Sequence, residues 1–176
     1  MHARIPWRLT TALTAAAAAV AISGLTAAPA SAGNSYTGAA YVSGKGGFAD
    51  DWYDEGILST STNTNSNATC LWQKVLWADG LLAWEDIDGI FGPKTRDATR
   101  TFQARHHLDD DGVVGEDTFG WAGSYGKLED IDGDTTVDRY IGPRHGFTIW
   151  RDGDGHYGFY DDGVKRSAGY NYRTCS

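Results

Sequence analysis

Two segments of the sequence combine a tight turn with the start of a helix. Asp88-Gly-Ile-Phe-Gly-Pro-Lys-Thr95 is repeated, in modified form, as Asp111-Gly-Val-Val-Gly-Glu-Asp-Thr118. In each copy Asp-Gly favours a turn, the second Gly lets the chain enter a helix, and the Thr hydroxyl is placed to satisfy first-turn N–H groups. Helix N-termini attract carboxylates. The repeat therefore predicts a ligand surface formed by Asp88, Phe91, Thr95, Arg96, Asp111 and Thr118.

A structural role for the same residues is the alternative. Turn Asp, buried Phe and capping Thr are required by such a fold whether or not a ligand binds. Arg96 is the exception, because a cation in the first turn of a helix opposes the helix dipole. We expect Arg96 to have an anionic partner.

Catalytic patterns are not evident, although the chain has 23 Asp and Glu. A glycosidase needs two carboxylates at a set separation on a rigid cleft, and an acidic chain supplies carboxylate pairs by chance. The sequence has no Gly-x-Ser-x-Gly elbow, no phosphate loop and no His-Glu-x-x-His motif. We predict no catalytic residues and no enzyme activity, with a small hydrolase as the alternative.

One acidic run could hold calcium. Asp130, Asp132, Asp134 and Asp138 alternate as in calcium loops, but the sixth and twelfth positions are Thr135 and Ile141, where an EF-hand has Gly and Glu. The histidines have no spacing typical of a zinc site. We therefore predict a solvated acidic turn, no metal and no cofactor, with calcium left open as the alternative.

The elements that must position these residues predict an α+β fold. Helical spacing of apolar residues indicates helices from about Thr69 to Asp79, from Pro93 to about His106, and from Glu116 to before Gly123. Beyond residue 126, short aromatic runs between Gly- and Asp-rich turns indicate β-hairpins. These runs are 137–141, 147–151, 156–160 and 170–172. The prediction is a compact three-helix bundle at 69–125, followed by a small antiparallel β tail at 126–176, the aromatic tail.

The N-terminal part is predicted to be a signal peptide and an arm. Arg4 and Arg8 precede an Ala-rich apolar run and an Ala-Pro-Ala-Ser-Ala segment ending at Ala32, which is typical of a cleaved secretory signal over residues 1–32. The apolar run is short for a membrane anchor. Residues 33–68 are rich in Gly, Ser, Thr and Asn and predict a flexible arm, whose aromatic residues could dock on the body.

The two cysteines, Cys70 and Cys175, are expected to pair after export, because an oxidising compartment favours a disulfide. Removal of the two signal-peptide arginines leaves 13 Lys and Arg against 23 Asp and Glu, a formal charge of −10. Nucleic acid and anionic membranes are therefore not expected partners, since binding to them depends on clustered cations.

The central segment, about residues 69–122, resembles the peptidoglycan-binding domain family of bacterial cell-wall hydrolases. The resemblance is carried by Trp72-Gln73, Val75-Leu76, the two Asp-Gly repeats, Phe102-Gln103 and Leu108. It implies a compact three-helix fold that binds peptidoglycan and has no catalytic activity of its own. Trp72 in place of Leu, Glu116 in place of Pro, and the extra Asp109 and Asp110 depart from the family pattern.

From these observations we predict a secreted, non-catalytic protein, extracellular or associated with the cell wall, with peptidoglycan as its partner. A secreted interaction or inhibitory protein is the alternative, in which the helices are a scaffold and the aromatic tail contacts a protein partner, because Tyr and Trp dominate interface hot spots.

Overall fold

The computed structural model describes residues 36–124, 127–134 and 136–176. The predicted signal peptide, residues 1–32, lies outside the described residues. No helix in the described part of the chain is long and apolar enough to cross a membrane.

Three α-helices follow one another in the centre of the chain. Their bounds are Asn67–Ala78 (α1), Pro93–Arg105 (α2) and Glu116–Gly123 (α3), with a short 3-10 helix at Trp84–Asp86. Helix α1 begins two residues earlier than predicted because the Ser66 hydroxyl caps it, accepting a hydrogen bond from the Thr69 backbone N–H at 3.1 Å. Helix α2 begins at Pro93, whose missing N–H costs nothing in the first turn.

The second half of the chain forms a five-stranded antiparallel sheet in which every strand pairs with its neighbour in sequence. The strands are Leu128–Glu129 (β1), Arg139–Ile141 (β2), Gly146–Arg151 (β3), Tyr157–Asp161 (β4) and Val164–Ser167 (β5). The α+β class is confirmed. The predicted strand at 170–172 is wrong, because the chain bends at residues 170 and 171 after β5 and does not extend the sheet.

The sheet is more than a small tail, because it shares one hydrophobic core with the helices. Trp52 shows this directly. Its ring contacts Phe119 of α3 edge-on at a centroid distance of 5.2 Å and stacks with Tyr140 of β2 at 6.0 Å. The prediction of a self-contained bundle with an appended tail is corrected in this respect, since a single apolar cluster joins residues from both halves.

The predicted flexible arm is packed in its described part, residues 36–68. Val42, Trp52 and Leu58 are fully buried, and Leu58 exchanges backbone hydrogen bonds with Val114 at 3.0 and 2.9 Å. These few large apolar residues anchor a segment whose composition is otherwise polar. Composition predicted a flexible arm because it averages over all residues of the segment and does not show that a few large apolar residues are buried.

A buried polar side chain of the arm also forms a hydrogen bond with the C-terminal part of the chain. The Glu55 side chain is buried and accepts hydrogen bonds from the Ser43 backbone N–H at 2.7 Å and from the Tyr170 hydroxyl at 2.5 Å. Burial raises the pKa of the Glu55 carboxyl from 4.5 to about 7, although the Tyr170 hydroxyl partly opposes this shift. The arm and the end of the chain are therefore joined through a buried acid.

Cys70 and Cys175 form a disulfide, as predicted, with their Cα atoms 6.7 Å apart. The bridge connects α1 to the C-terminal residues across a sequence separation of 105 residues. Gly89 lies against it, and a Cβ at this position would be 2.7 Å from both sulfur atoms. The first Asp-Gly turn is thus packed directly on the disulfide.

Candidate functional site

The first Asp-Gly turn is built around a buried glutamine of α1. The Gln73 Oε1 accepts hydrogen bonds from the backbone N–H groups of Asp88 at 3.1 Å and Gly89 at 2.7 Å. Its Nε2 donates to the Asp88 Oδ1 at 2.9 Å and to the Thr95 Oγ1 at 3.1 Å. One amide therefore holds the turn and the start of α2 together.

The second turn repeats this arrangement around Gln103 of α2. The Gln103 Oε1 accepts from the Gly112 N–H at 2.8 Å, and its Nε2 donates to the Asp111 Oδ1 at 3.0 Å and to the Thr118 Oγ1 at 3.1 Å. Both glutamines are essentially inaccessible to solvent. Because a buried amide left without partners is costly, each network fixes the position of one turn against one helix.

The threonines of the repeat do not cap the helices, which corrects the sequence prediction. The N-cap positions of α2 and α3 are Gly92 and Gly115, and neither has a side-chain capping bond. Thr95 and Thr118 instead accept from the glutamine amides. Local capping rules assigned these hydroxyls to the first-turn N–H groups. In the structure, the glutamine of the preceding helix donates to each hydroxyl.

The six predicted ligand residues do not form one open surface. Phe91, Thr95 and Thr118 are buried, with exposed fractions of 1%, 2% and 4%. Asp88 and Asp111 each direct one carboxylate oxygen into a glutamine network. The structure therefore gives these five residues a structural function, and their predicted contact with a ligand stays a prediction.

Arg96 has the anionic partner that its position requires. Its Nε and Nη2 donate to the carboxylate of the neighbouring Asp97 at 2.9 and 2.7 Å. The side chain is 43% exposed, and its Cγ would be 2.7 Å from a Cβ added to Gly112. Arg96 is thus beside the second turn while its charge is compensated by Asp97.

A groove of about 440 Å³ opens where the second turn meets α3. Its walls include four carboxylates, a histidine and the Gln103–Thr118 network, namely Asp109, Asp111, Glu116, Asp117, His107, Gln103 and Thr118. A carboxylate ligand would be repelled here, in spite of the helix N-terminus. The groove is suited to ligand groups that donate hydrogen bonds, such as amides, hydroxyls and ammonium groups.

The two turns differ in their surroundings. Beside the first, a cavity of about 370 Å³ is lined by apolar Leu81, Leu82 and Ala83 together with the exposed ion pair Lys94–Asp86, whose charged atoms are 2.6 Å apart. Apolar and polar side chains contribute equally to the lining, so this cavity is less acidic than the groove beside the second turn.

Two groups of side chains in the described part of the chain could hold a metal ion. The ligand atoms of Asp130, Asp132 and Asp138 lie within 4.8 Å of one another, as do those of Asp152, Asp154 and His156. Asp134 is not part of the first group; its Oδ1 accepts from the Thr136 N–H and hydroxyl at 2.8 and 2.6 Å. The second group was not predicted from the sequence. Its signal in the sequence is a metal-ligating residue type at every second position, 152, 154 and 156.

Two further ionisable residues were missed from the sequence. Glu55 was assigned to the flexible arm, and Lys74 lies on α1, where a lysine between apolar positions is usually solvent-facing. Lys74 is 1% exposed, and burial lowers the pKa of its ammonium. No local signal indicates that either residue is buried, since the groups covering them come from distant parts of the chain.

Comparison with known proteins gives a family for the central segment alone. No curated protein and no solved structure matches the chain. Residues 66–121 match the family model described as a putative peptidoglycan binding domain, which confirms the resemblance and identifies this part of the chain, with its two glutamine-centred turns, as a domain of that family.

Proposed function

We propose that the protein is secreted, has no catalytic activity and binds peptidoglycan through residues 66–121. The match of this segment to the peptidoglycan-binding family is the observation that carries the proposal. The disulfide between Cys70 and Cys175 agrees with an extracellular or cell-wall location, because such bonds persist in oxidising compartments. The signal-peptide pattern of residues 1–32 supports export.

The groove beside the second turn is the surface we propose for wall contact. It is formed entirely within the family segment, by the end of α2, the turn and the first turn of α3. Its carboxylates favour the hydrogen-bond donors of peptidoglycan, which are glycan hydroxyls, peptide amides and free amino groups. The acidic charge of the mature chain agrees with this selection, since anionic wall polymers would be repelled.

Support for the alternative of a protein partner on the aromatic tail is weaker than the sequence suggested. Tyr157, Phe159 and Tyr170 are buried in the core, and only Tyr160 and Tyr172 among the tyrosines of this segment are exposed, by 38% and 36%. The aromatic density of the described part of the tail therefore stabilises the fold to a large extent. We keep the non-catalytic proposal because no hydrolase motif is present in the sequence.

Co-sedimentation with purified, teichoic-acid-free peptidoglycan tests the proposal. The protein used is residues 33–176, because a chain ending at residue 126 would lose Tyr140, Tyr157 and Cys175 from its core. We expect retention on the insoluble wall and no release of soluble fragments. Full recovery in the supernatant would refute wall binding, and released muropeptides would refute the non-catalytic part.

Matched variants locate the surface. Glu116→Gln with Asp117→Asn removes two groove charges, and we expect retention to fall about fivefold, the effect of losing roughly 1 kcal/mol of exposed charge contacts. Glu129→Gln, an exposed carboxylate on β1, is the control. Arg96→Ala tests the other side of the turn. A loss with Arg96→Ala but not with the groove variant would move the site to α2.

A further inference from the structure

A small cavity of about 160 Å³ lies between α1, the 3-10 helix and the turn that joins β4 to β5. We call it the Lys74 cavity. Its walls carry one cation, four side-chain carboxylates, an exposed aromatic ring and a serine, provided by Lys74, Glu85, Asp88, Asp161, Asp162, Trp84 and Ser176. The cavity therefore joins the family segment to the sheet.

Lys74 is a buried residue whose ammonium faces the cavity and finds no hydrogen-bond acceptor among the described residues. Its Nζ lies 4.3 Å from the centroid of the Trp84 ring and 5.5 Å from that of Phe159. Within the part of the chain that the structure describes, it makes neither a hydrogen bond nor an ion pair, although the residue is only 1% exposed. Cation–π contact offsets part of the desolvation, but three N–H donors still need acceptors.

A second buried charge of opposite sign faces the same cavity. Asp161 is 5% exposed, and its nearest cation is the Arg166 Nε at 3.7 Å from Oδ2, beyond hydrogen-bond length. No donor among the described residues hydrogen-bonds to the Asp161 carboxylate. Asp161 and Asp162 act on Lys74 by charge, opposing the effect of burial on its pKa, yet neither forms an ion pair with it.

Lys74 has no acceptor among the described residues, and Asp161 has only the 3.7 Å ion pair with Arg166, so the two charges restrict the ligand. Lys74 requires an acceptor, and an anionic acceptor gives the strongest hydrogen bond. A simple anion would be repelled by the four side-chain carboxylates of the walls. A simple cation would leave the N–H donors of Lys74 without acceptors and would be repelled by the positive charge of Lys74. A group that carries both charges close together satisfies both sides of the cavity.

We propose that the Lys74 cavity binds a zwitterionic amino-acid group, with its carboxylate on Lys74 and its ammonium on Asp161 and Asp162. The volume of about 160 Å³ admits a group of a few heavy atoms. The same chemistry occurs in free amino acids and at the free end of a diamino acid within a peptide. Binding here is independent of the groove beside the second turn, because the two cavities share none of these residues.

Titration of the mature protein with alanine, followed by ¹H–¹⁵N NMR, tests the proposal. We expect saturable shifts at the amides of Asp161 and Asp162 and at Trp84. Propionate, which has only the carboxylate, and ethylamine, which has only the ammonium, should each bind at least about tenfold more weakly, the factor for one lost charge-assisted hydrogen bond. Equal binding of either probe, or no shift with alanine, would overturn the proposal.

Two variants assign the interaction to its residues. Lys74→Met keeps the length of the side chain and Asp161→Asn keeps its shape, and each should weaken alanine binding by at least about tenfold. Lys45→Met, an exposed lysine outside the cavity, should not. The amide spectrum away from the cavity reports whether each variant folds. Unchanged binding in both folded cavity variants would refute the assignment.

The source of the ligand is distinguished by a third titration, with a soluble wall peptide that ends in a diamino acid. Tighter binding of this peptide than of alanine points to the cell wall, and binding of alanine alone points to free amino acids. Wall retention of Lys74→Met separates this inference from the proposed function. If the variant loses alanine binding and still sediments with peptidoglycan, the groove and the Lys74 cavity are two sites.

Discussion

The buried Glu55 predicts a specific loss of stability as the pH rises. The carboxyl is 1% exposed, and burial raises its pKa from 4.5 to about 7. Between these values the folded protein holds a proton that the unfolded chain releases, so folding is favoured at low pH and the stability falls as the pH increases. Below pH 4.5 both states are protonated, and above pH 7 both are ionised, so the effect is confined to this window.

The magnitude follows from the two pKa values. Each factor of ten in acidity corresponds to about 1.4 kcal/mol, so the rise of the pKa from 4.5 to about 7 corresponds to about 3 kcal/mol. This is a large part of the free energy of unfolding of a typical domain, about 5–15 kcal/mol. The Tyr170 and Ser43 hydrogen bonds already reduce the cost of ionisation.

Urea denaturation from pH 4 to pH 8 measures the effect, with wild type and Glu55→Gln compared at each pH. The amide retains an acceptor for the Ser43 N–H but does not ionise. We expect the unfolding free energy of wild type, minus that of the variant, to fall by about 3 kcal/mol over this range. His106, whose pKa is lowered by burial, contributes equally to both proteins and cancels.

A constant difference across the range would refute this account of Glu55. Tyr170→Phe provides a second check, because it removes the hydroxyl that donates to the carboxylate. Loss of that donor should raise the pKa of Glu55 further, and the fall in stability should extend to higher pH. A shift of the transition to lower pH in Tyr170→Phe would contradict the assignment of cause.

Three other predictions concern the turns and the disulfide. Gly89→Ala should cost at least about 2 kcal/mol more than Gly133→Ala in thermal unfolding, because both have positive φ but only the Cβ at Gly89 meets the disulfide sulfurs, at 2.7 Å. Gln103→Ala should destabilise the protein by roughly 2–4 kcal/mol in urea, since it leaves several turn groups unpaired, and a loss under 1 kcal/mol would contradict the network. Replacing Cys70 and Cys175 by Ser should cost about 4 kcal/mol in urea for a separation of 105 residues, measured against the oxidised protein, and no stability difference between oxidised and reduced wild type would contradict the bond.

Much of the candidate site could be predicted because its elements are local. Asp-Gly, the second Gly and Pro93 restrict the backbone within a few residues, and they place the turns and the starts of α2 and α3. The roles of the side chains could not be predicted in the same way. Thr95 has two possible donors, a helix N–H and a distant amide, and only the packing of Gln73 beside it selects the second.

The sequence by itself determined the class of the fold, the family of residues 66–121 and the cysteine pair, because these depend on short patterns, their order and an even cysteine count. The tertiary structure decided where buried charge lies. Lys74 and Glu55 are covered by residues as distant in sequence as Phe159 and Tyr170. Burial, and with it the shift in pKa, is a sum over such non-local neighbours, and no local pattern contains it.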